Sequence, residues 1–447
     1  MVRNALVVGN GGREHALVWK LSRSLDASKF YCAPGNPGTR SELGCENVPI
    51  DVSKGQNFDK LFNFTKEKEI GMILVGPEAP LYFGIVDYFN ERGFNRIFGP
   101  TKDATKLEAD KLFSFRFMRD AGIPQARGRE CYSPEQIIRA IKLFESEGLE
   151  SVLKSGGLTG GKGVVVPNSV EEALRDTELF FKTYGDCKEG GKGVLVSERL
   201  YGKEFSVKAI CDGKRALTFM MAAQDHKRRD DNDKGPNTGG MGAYCPVPFV
   251  TPEVLKYVHE NVMNRVVEEM AKIGTPFMGF LYAGMMMTKD GPKVLELNVR
   301  MGDPETQPMM MRLNNDLYHV VDYALEGKLD QVELYYNSGD ACSVVLSTPG
   351  YPDSDEVKKH TGLEIRGLRN VEIMRGVKVF HAGTGFSNSS DEIIVNSGGR
   401  VLSVTALADG LSNARDQAYK ACGKLYLVDA NDQRTEFQRR NDILKGA

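Results

Sequence analysis

The chain has 447 residues, 41% hydrophobic and 26% charged, which allows about three domains and excludes a disordered composition. Its 58 basic and 60 acidic side chains leave a net charge of -2, so binding to nucleic acid or a membrane through overall charge is excluded and basic chemistry must be local. An apolar strand, NALVVG, starts at residue 4. With no Arg-rich leader, no signal-peptide core and no apolar run of about 18 residues, a soluble cytoplasmic protein is expected.

Over the first hundred residues the runs ALVVG, MILVG and RIFG alternate with helical patterns, which predicts a parallel α/β sheet. A ligand would lie at the loops after Val8, Val75 and Phe98, the carboxyl ends of the strands. In VVGNGGREHA, Gly9, Gly11 and Gly12 fall between strand and helix, where backbone N–H groups and the helix dipole suit an anion. As the dinucleotide fingerprint G-x-G-x-x-G the segment fails at Glu14, and the next strand, KFYCAPG, lacks the acid that takes a ribose. A dinucleotide oxidoreductase is therefore disfavoured. A tight turn without ligand and a phosphate site both stay open, the second favoured by Arg13 and by the companion loops APGNPGT and GPEAPL.

A charged helix is predicted from Thr101, as N-cap, to Ala121, with Gly122 and Pro124 ending it. Residues 124–196 read as a small α/β lobe. Its GGLTGGKG, Gly156 to Gly163, fits most of a P-loop, but Gly163 stands where the magnesium-binding hydroxyl belongs. Val164 to Val166 then form a strand where a P-loop needs a helix. A strand–loop–strand lid over polyphosphate is expected, with Lys162 above it and Lys154, at the end of the preceding strand, beside it. A plain glycine hairpin with solvated lysines is the alternative.

The polar segment 224–244, opened by Asp225, His226 and Lys227, is too long for a routine connection and is functional or disordered. His226 is a general base or a structural histidine. In KVLELNVRMGDPE, residues 293–305, strand alternation puts Glu296, Asn298 and Arg300 on one face and Leu295, Leu297, Val299 and Met301 on the other. Polar groups about 7 Å apart suit a divalent ion or a polyphosphate, with Glu296 and Asn298 as oxygen ligands for magnesium. After residue 331 an antiparallel region ending in a helix is predicted. The eight cysteines show no CxxC spacing, so neither zinc nor a disulfide framework is indicated.

In order along the chain, GNGGREHAL, APGNPGT, VGPEAPL, FGPT, GLTGGKGVVV, AQDHKR, GPNTGGMGAY, LYAGMM and LELNVRMGDPETQ resemble the glycinamide ribonucleotide synthetase family of the ATP-grasp superfamily, from residue 4 to about residue 410. The resemblance implies an α/β fold, α+β overall: a Rossmann-like substrate-binding domain (1–102), an ATP-grasp core (103–330) with a mobile lid (124–196), and a small antiparallel C-terminal domain (331–447). It implies ligation of glycine to 5-phospho-β-D-ribosylamine, with ATP cleaved to ADP and phosphate through glycyl phosphate. Another ATP-grasp carboxylate–amine ligase is the alternative, and a non-catalytic nucleotide sensor is a third reading.

By the same resemblance, Glu296 and Asn298 hold Mg2+ or Mn2+. Lys111, Lys154, Gly161, Lys162 and Gly163 meet the ATP phosphates, Glu198 and Leu200 the adenine, and Glu204 the ribose. Gly11, Gly12, Arg13, Asn36 and Glu78 receive phosphoribosylamine. Arg300 binds the transferring group or glycine's carboxylate, and Asp225 glycine's ammonium. Arg300, Lys154 and Asp225 form the catalytic set. Partners are small molecules, without nucleic acid or membrane, and transient contact with neighbouring purine-pathway enzymes is compatible. The sequence departs from the family pattern at Leu297 and Met301, which replace aromatics, and at GLTGG in place of GLAAG; GFLYAGMMM carries no additional metal-binding acid.

Overall fold

The computed structural model describes residues 4–27, 29–159, 163–185 and 190–445, with the side chain of Asp391 left aside. The first sheet is parallel, ordered Cys45–Asn47, Phe30–Pro34, Asn4–Gly9, Ile70–Val75, Ile97–Phe98. Leu6, Val8, Ile73 and Val75 enter one core while Ala5, Val7, Met72 and Leu74 enter another. Burial on both faces is why these strands read as unbroken apolar runs. The strand order reverses around Asn4–Gly9, opening a crevice at Gly9, Gly35 and Gly76.

The helix expected from Thr101 to Ala121 is broken. Asp110 leaves helical geometry (φ -126°, ψ 99°), and its carboxylate caps the N–H groups of Leu112 and Phe113 at 3.0 and 2.9 Å. Lys106–Ala109 and Lys111–Asp120 are therefore separate helices. An aspartate satisfies two orphan donors at a helix start better than it serves a helix interior. Gly122, at φ +65°, ends the second helix.

The lobe that follows is an antiparallel sheet, Gly128–Cys131, Gly190–Glu198, Ser151–Gly157, Val164–Val165, with its own core around Ile137, Phe144, Leu153, Phe180 and Val194. The glycine loop joins two of its strands, in the expected strand–loop–strand order, but Lys154 lies mid-strand opposite Val164 rather than at a strand end. Beside it stands a second antiparallel sheet, Ala216–Thr218, Lys203–Asp212, Met278–Thr288, Gly291–Asn298.

The polar segment is ordered. Gln224–Asp225 and Gly242–Cys245 join a third sheet with Asp340–Ser347, Arg400–Ala408 and Val377–His381, and Arg228–Asp230 pairs with Lys234–Asn237. The C-terminal region is antiparallel as expected, but two short strands, Tyr426–Val428 and Arg434–Thr435, follow its helix Leu411–Cys422. The cysteines among the described residues are free. Met285, Met309 and Met310 are fully buried. Among the described residues no helix is long and apolar enough to cross a membrane.

Candidate active site

The strand Gly291–Asn298 lays out the centre of the site. Asn298 pairs with Tyr282 and Glu296 with Gly284; the register then slips so that Met285 faces Val294. Leu295 is the extra residue, half-buried rather than part of the expected apolar face, whereas Leu297, Val299 and Met301 are buried. The bulge turns the Leu295 carbonyl to the neighbouring lobe, where Lys154 Nζ donates to it at 3.1 Å. Burial lowers Lys154 to about 8 despite the pull of Glu296. Burial would raise Glu296, but Lys227, Lys111, a hydrogen bond from Asn298 and Lys154 together hold it below the ordinary carboxylate range.

Asn298 donates its amide nitrogen to Glu296 Oε1 at 3.3 Å, and its amide oxygen is the kind of hard donor that magnesium or manganese takes. An anionic carboxylate two residues from an amide, with three lysines in electrostatic reach, fits a metal–phosphate pair better than a bare cation.

Arg300 lies beyond the strand's last residue, not in its row. Its Nε donates to Glu78 at 3.1 Å, its Nη2 pairs with Glu108 at 2.9 Å, and its Nη1 donates to the Met301 carbonyl at 3.2 Å. Burial opposes its charge, yet Glu108 and Glu78 raise its pKa above the ordinary value. Burial would also raise Glu78, but Arg300 and Arg13 hold it at about 2. This arginine joins the N-terminal crevice to the central strand.

At the crevice, Glu14 fills the space the glycines leave. Its Oε2 accepts the Gly11 N–H at 2.8 Å and its Oε1 accepts from Arg13 at 2.5 Å. A methyl group at Gly9 or Gly76 would stand 2.3 Å from Glu14 atoms. Arg13 also donates to the Met301 carbonyl at 3.1 Å. Gly12 faces Gln307 and Asp303, and Asp303 in turn pairs with Arg400 at 3.0 Å. Asn36 caps the helix Pro37–Ser41 by accepting from Thr39 and donates to the Asn10 and His381 carbonyls at 2.8 and 2.9 Å. Gly11, Gly12, Arg13, Asn36 and Glu78 are thus brought together, with the Gly11 N–H and the Asn36 side chain already engaged.

Asp225, Glu204, Lys227, Lys208 and Glu305 form a cluster that reaches Glu296 through Lys227. Lys227 Nζ pairs with Glu204 at 2.5 Å. Lys208, fully buried, donates to Ser206 Oγ at 2.5 Å, lies 3.8 Å from Glu305 and sits over the Tyr282 ring. Burial raises Asp225 to about 7, although Lys227 favours its charge. His226 is lowered by burial to about 4, and its Nδ1 is buried without a partner. Its backbone N–H and carbonyl pair with Gly242 and Met241. A histidine neutral to that pH and packed near the Tyr244 ring, 6.1 Å between centroids, supports the structural reading.

Glu198 ends the strand Gly190–Glu198 with a carboxylate that accepts the Arg127 N–H at 3.0 Å and the Arg127 Nε at 3.3 Å. Leu200 follows, half-buried, and the Ser197 hydroxyl is buried unpaired. Lys111 starts its helix near Glu296 and Lys154. Gly163 closes its turn through the Thr159 hydroxyl at 2.9 Å; Gly161 and Lys162 lie outside the described residues. Sequence reasoning missed Glu108, which looks like a solvated helix residue in KLEADK, and Lys208, for which a lone lysine in the apolar run FSVKAIC was a usable signal.

Family models of phosphoribosylglycinamide synthetase match the chain in three pieces: the N domain at residues 3–108, the ATP-grasp (A) domain at 109–306 and the C domain at 341–444. The chain is 45% identical over 424 residues to a phosphoribosylamine–glycine ligase of Rhodopirellula baltica, covering 94% of this chain and 93% of the relative. It is 44% identical over 426 residues to one of Pseudomonas aeruginosa, covering 94% of each. The crystal structure of the Thermotoga maritima phosphoribosylamine–glycine ligase superposes with a TM-score of 0.78 at 29% identity, covering 98% of this chain and 99% of that one. A biotin carboxylase domain from Hydrogenobacter thermophilus shares the fold, with a TM-score of 0.70 at 16% identity over 98% of this chain and 92% of that one. With all three family domains matched in order and relatives this similar over nearly the whole length, the chain belongs to the phosphoribosylglycinamide synthetase family.

Proposed function

We propose that the cleft between the glycine-rich lobe, the central strand and the N-terminal crevice carries out the ligation for which the family is named. The chain is an ATP-dependent carbon–nitrogen ligase that joins glycine to 5-phospho-β-D-ribosylamine, giving glycinamide ribonucleotide, ADP and phosphate in purine biosynthesis. Glycine's carboxylate attacks the γ-phosphorus of ATP and ADP leaves. The sugar amine then attacks the carbonyl carbon of glycyl phosphate, and phosphate leaves with the bonding pair.

Transfer between two anions calls for fixed cations and alignment more than a nucleophilic side chain. Lys111 and Lys154 steady the phosphates beside Glu296, and Gly161, Lys162 and Gly163 bind them as well. Arg300 neutralises the transferring group or the glycine carboxylate. The backbone of Glu198 and Leu200 meets the adenine, since the Glu198 carboxylate is spent on Arg127. Glu204 meets the ribose while Lys227 holds it. Asp225, lined by Lys227 and Lys208, takes glycine's ammonium. Glu78 and Arg13 present the polar wall of the sugar crevice, which Gly11, Gly12 and Asn36 shape. A magnesium or manganese ion held by Glu296 and Asn298 would neutralise phosphate charge as it is handed over.

The observation that carries this reading is the convergence on one bulged strand of a depressed carboxylate, an amide and three lysines, with Arg300 at its end. The test is single-turnover ADP release with ATP, magnesium, phosphoribosylamine and each candidate acid. Release that needs glycine supports the reading. Release with a different acid or amine would reject the substrate pair while leaving a ligase.

A further inference from the structure

Glu108 has no part in the roles above, yet it bonds both Arg300 and the backbone just before it. Its Oε2 accepts the Val299 N–H at 2.8 Å, and its Oε1 pairs with Arg300 Nη2 at 2.9 Å. Val299 is the first residue after strand pairing stops at Asn298, so Glu108 replaces the missing sheet partner. One carboxylate therefore grips both the end of the metal-ligand strand and the guanidinium that follows it. The break at Asp110 puts it there, because Glu108 belongs to the short helix Lys106–Ala109, which packs on this strand.

Arg300's other acid differs. Glu108 has a side chain only 6% exposed with both oxygens engaged, whereas the Glu78 side chain is 37% exposed at the crevice mouth. Moving Glu108 would leave the Val299 N–H and Arg300 Nη2 without their partner in the interior, at a cost that fixes it in place. Glu78 can exchange Arg300 for another donor with much less loss.

We propose that Glu108 is a positioning residue for the ligation: it holds Arg300 rigidly against the end of the metal-ligand strand, while Glu78 is the exchangeable partner that the amine or hydroxyl groups of the incoming sugar draw away, freeing Arg300 Nε for the transferring group. The inference rests on the role proposed above for Arg300. It couples arrival of the acceptor at one end of the cleft to the cation available at the other.

The test is steady-state ADP release by Glu108→Gln, which keeps an acceptor for the Val299 N–H and removes the charge facing Arg300. The expected result is a kcat lower by about 10²-fold, the scale of a small misplacement at a reacting centre, with KM for ATP within about two-fold of wild type. In an Arg300→Lys background the same change should cost less than about three-fold, because the two residues act as a unit. A Glu108→Gln enzyme with wild-type kcat, one that loses the same factor in both backgrounds, or one without a cooperative unfolding transition would each overturn the proposal. An Arg300→Lys enzyme with wild-type kcat would instead reject the role given to Arg300.

Discussion

Two glycine-rich loops in this chain look alike in sequence and do opposite things. Around Gly9, Gly11 and Gly76, the missing side chains make room for the protein itself: Glu14 fills the gap, bonds the Gly11 N–H and holds Arg13. Around Gly156 and Gly163 the crowding comes from the backbone of the neighbouring strand Gly190–Glu198 and from the Thr159 hydroxyl. A methyl group at Gly156 would lie 2.8 Å from the Gly191 carbonyl, and one at Gly163 2.4 Å from Thr159 Oγ1. The first loop is a preformed wall whose groups are largely spent. The second packs on a separate small core, and Lys154 on the strand before it reaches the central strand. Glycine spacing tells where a backbone comes close to something; only the neighbours tell whether that something is protein or ligand.

The largest test of this contrast is Glu296→Ala. Removing the carboxylate between the lysines should reduce glycine-dependent ADP release by about 10³-fold or more, as loss of a principal electrostatic group does, with little change in thermal stability. Next, Glu14→Ala should lower stability in denaturant melts by about 1–3 kcal/mol, because the Gly11 N–H and Arg13 lose a buried partner. Gly163→Ala, whose methyl group would meet Thr159 Oγ1, should raise KM for ATP, which Glu14→Ala should leave within about two-fold of wild type; if both variants raise it equally, the two loops are not different in kind.

Arg13→Ala should raise the half-saturation concentration for phosphoribosylamine by about ten-fold, the worth of one charge-assisted bond, and leave that for ATP unchanged. The smallest effect concerns pH. Asp225, raised to about 7 by burial, loses the charge that would hold glycine's ammonium as pH falls, so KM for glycine should climb severalfold from about pH 8 to about pH 6 and Asp225→Asn should flatten that profile. The sign for stability is opposite. Asp225 favours the folded state fully below its ordinary 3.8, and that contribution is lost as pH rises through about 7, so Asp225→Asn should melt higher than wild type at about pH 8.

The parallel N-terminal sheet, the pairing of the strands on either side of the glycine loop and the placing of Glu296 and Asn298 on one strand were legible because each follows from a local period or a breaker. The place of Arg300 was not. A strict alternation puts it in the row with Glu296, but the strand ends at Asn298 and Glu78 and Glu108, both distant in sequence, hold the guanidinium. The same limit hid the engagement of Asn36, whose amide reaches His381 across the chain, and the break at Asp110. Local pattern could place the donors on their elements; which of them were already paired depended on contacts between elements.

The most direct measurement is a crystal structure with a non-hydrolysable ATP analogue and magnesium. The account predicts a metal ion on Glu296 and Asn298, bridged to the triphosphate, with Lys154 beside the phosphates and the γ-phosphate facing Arg300. A triphosphate bound away from residues 296 and 298, or phosphates resting in the Gly9–Gly12 loop, would contradict it.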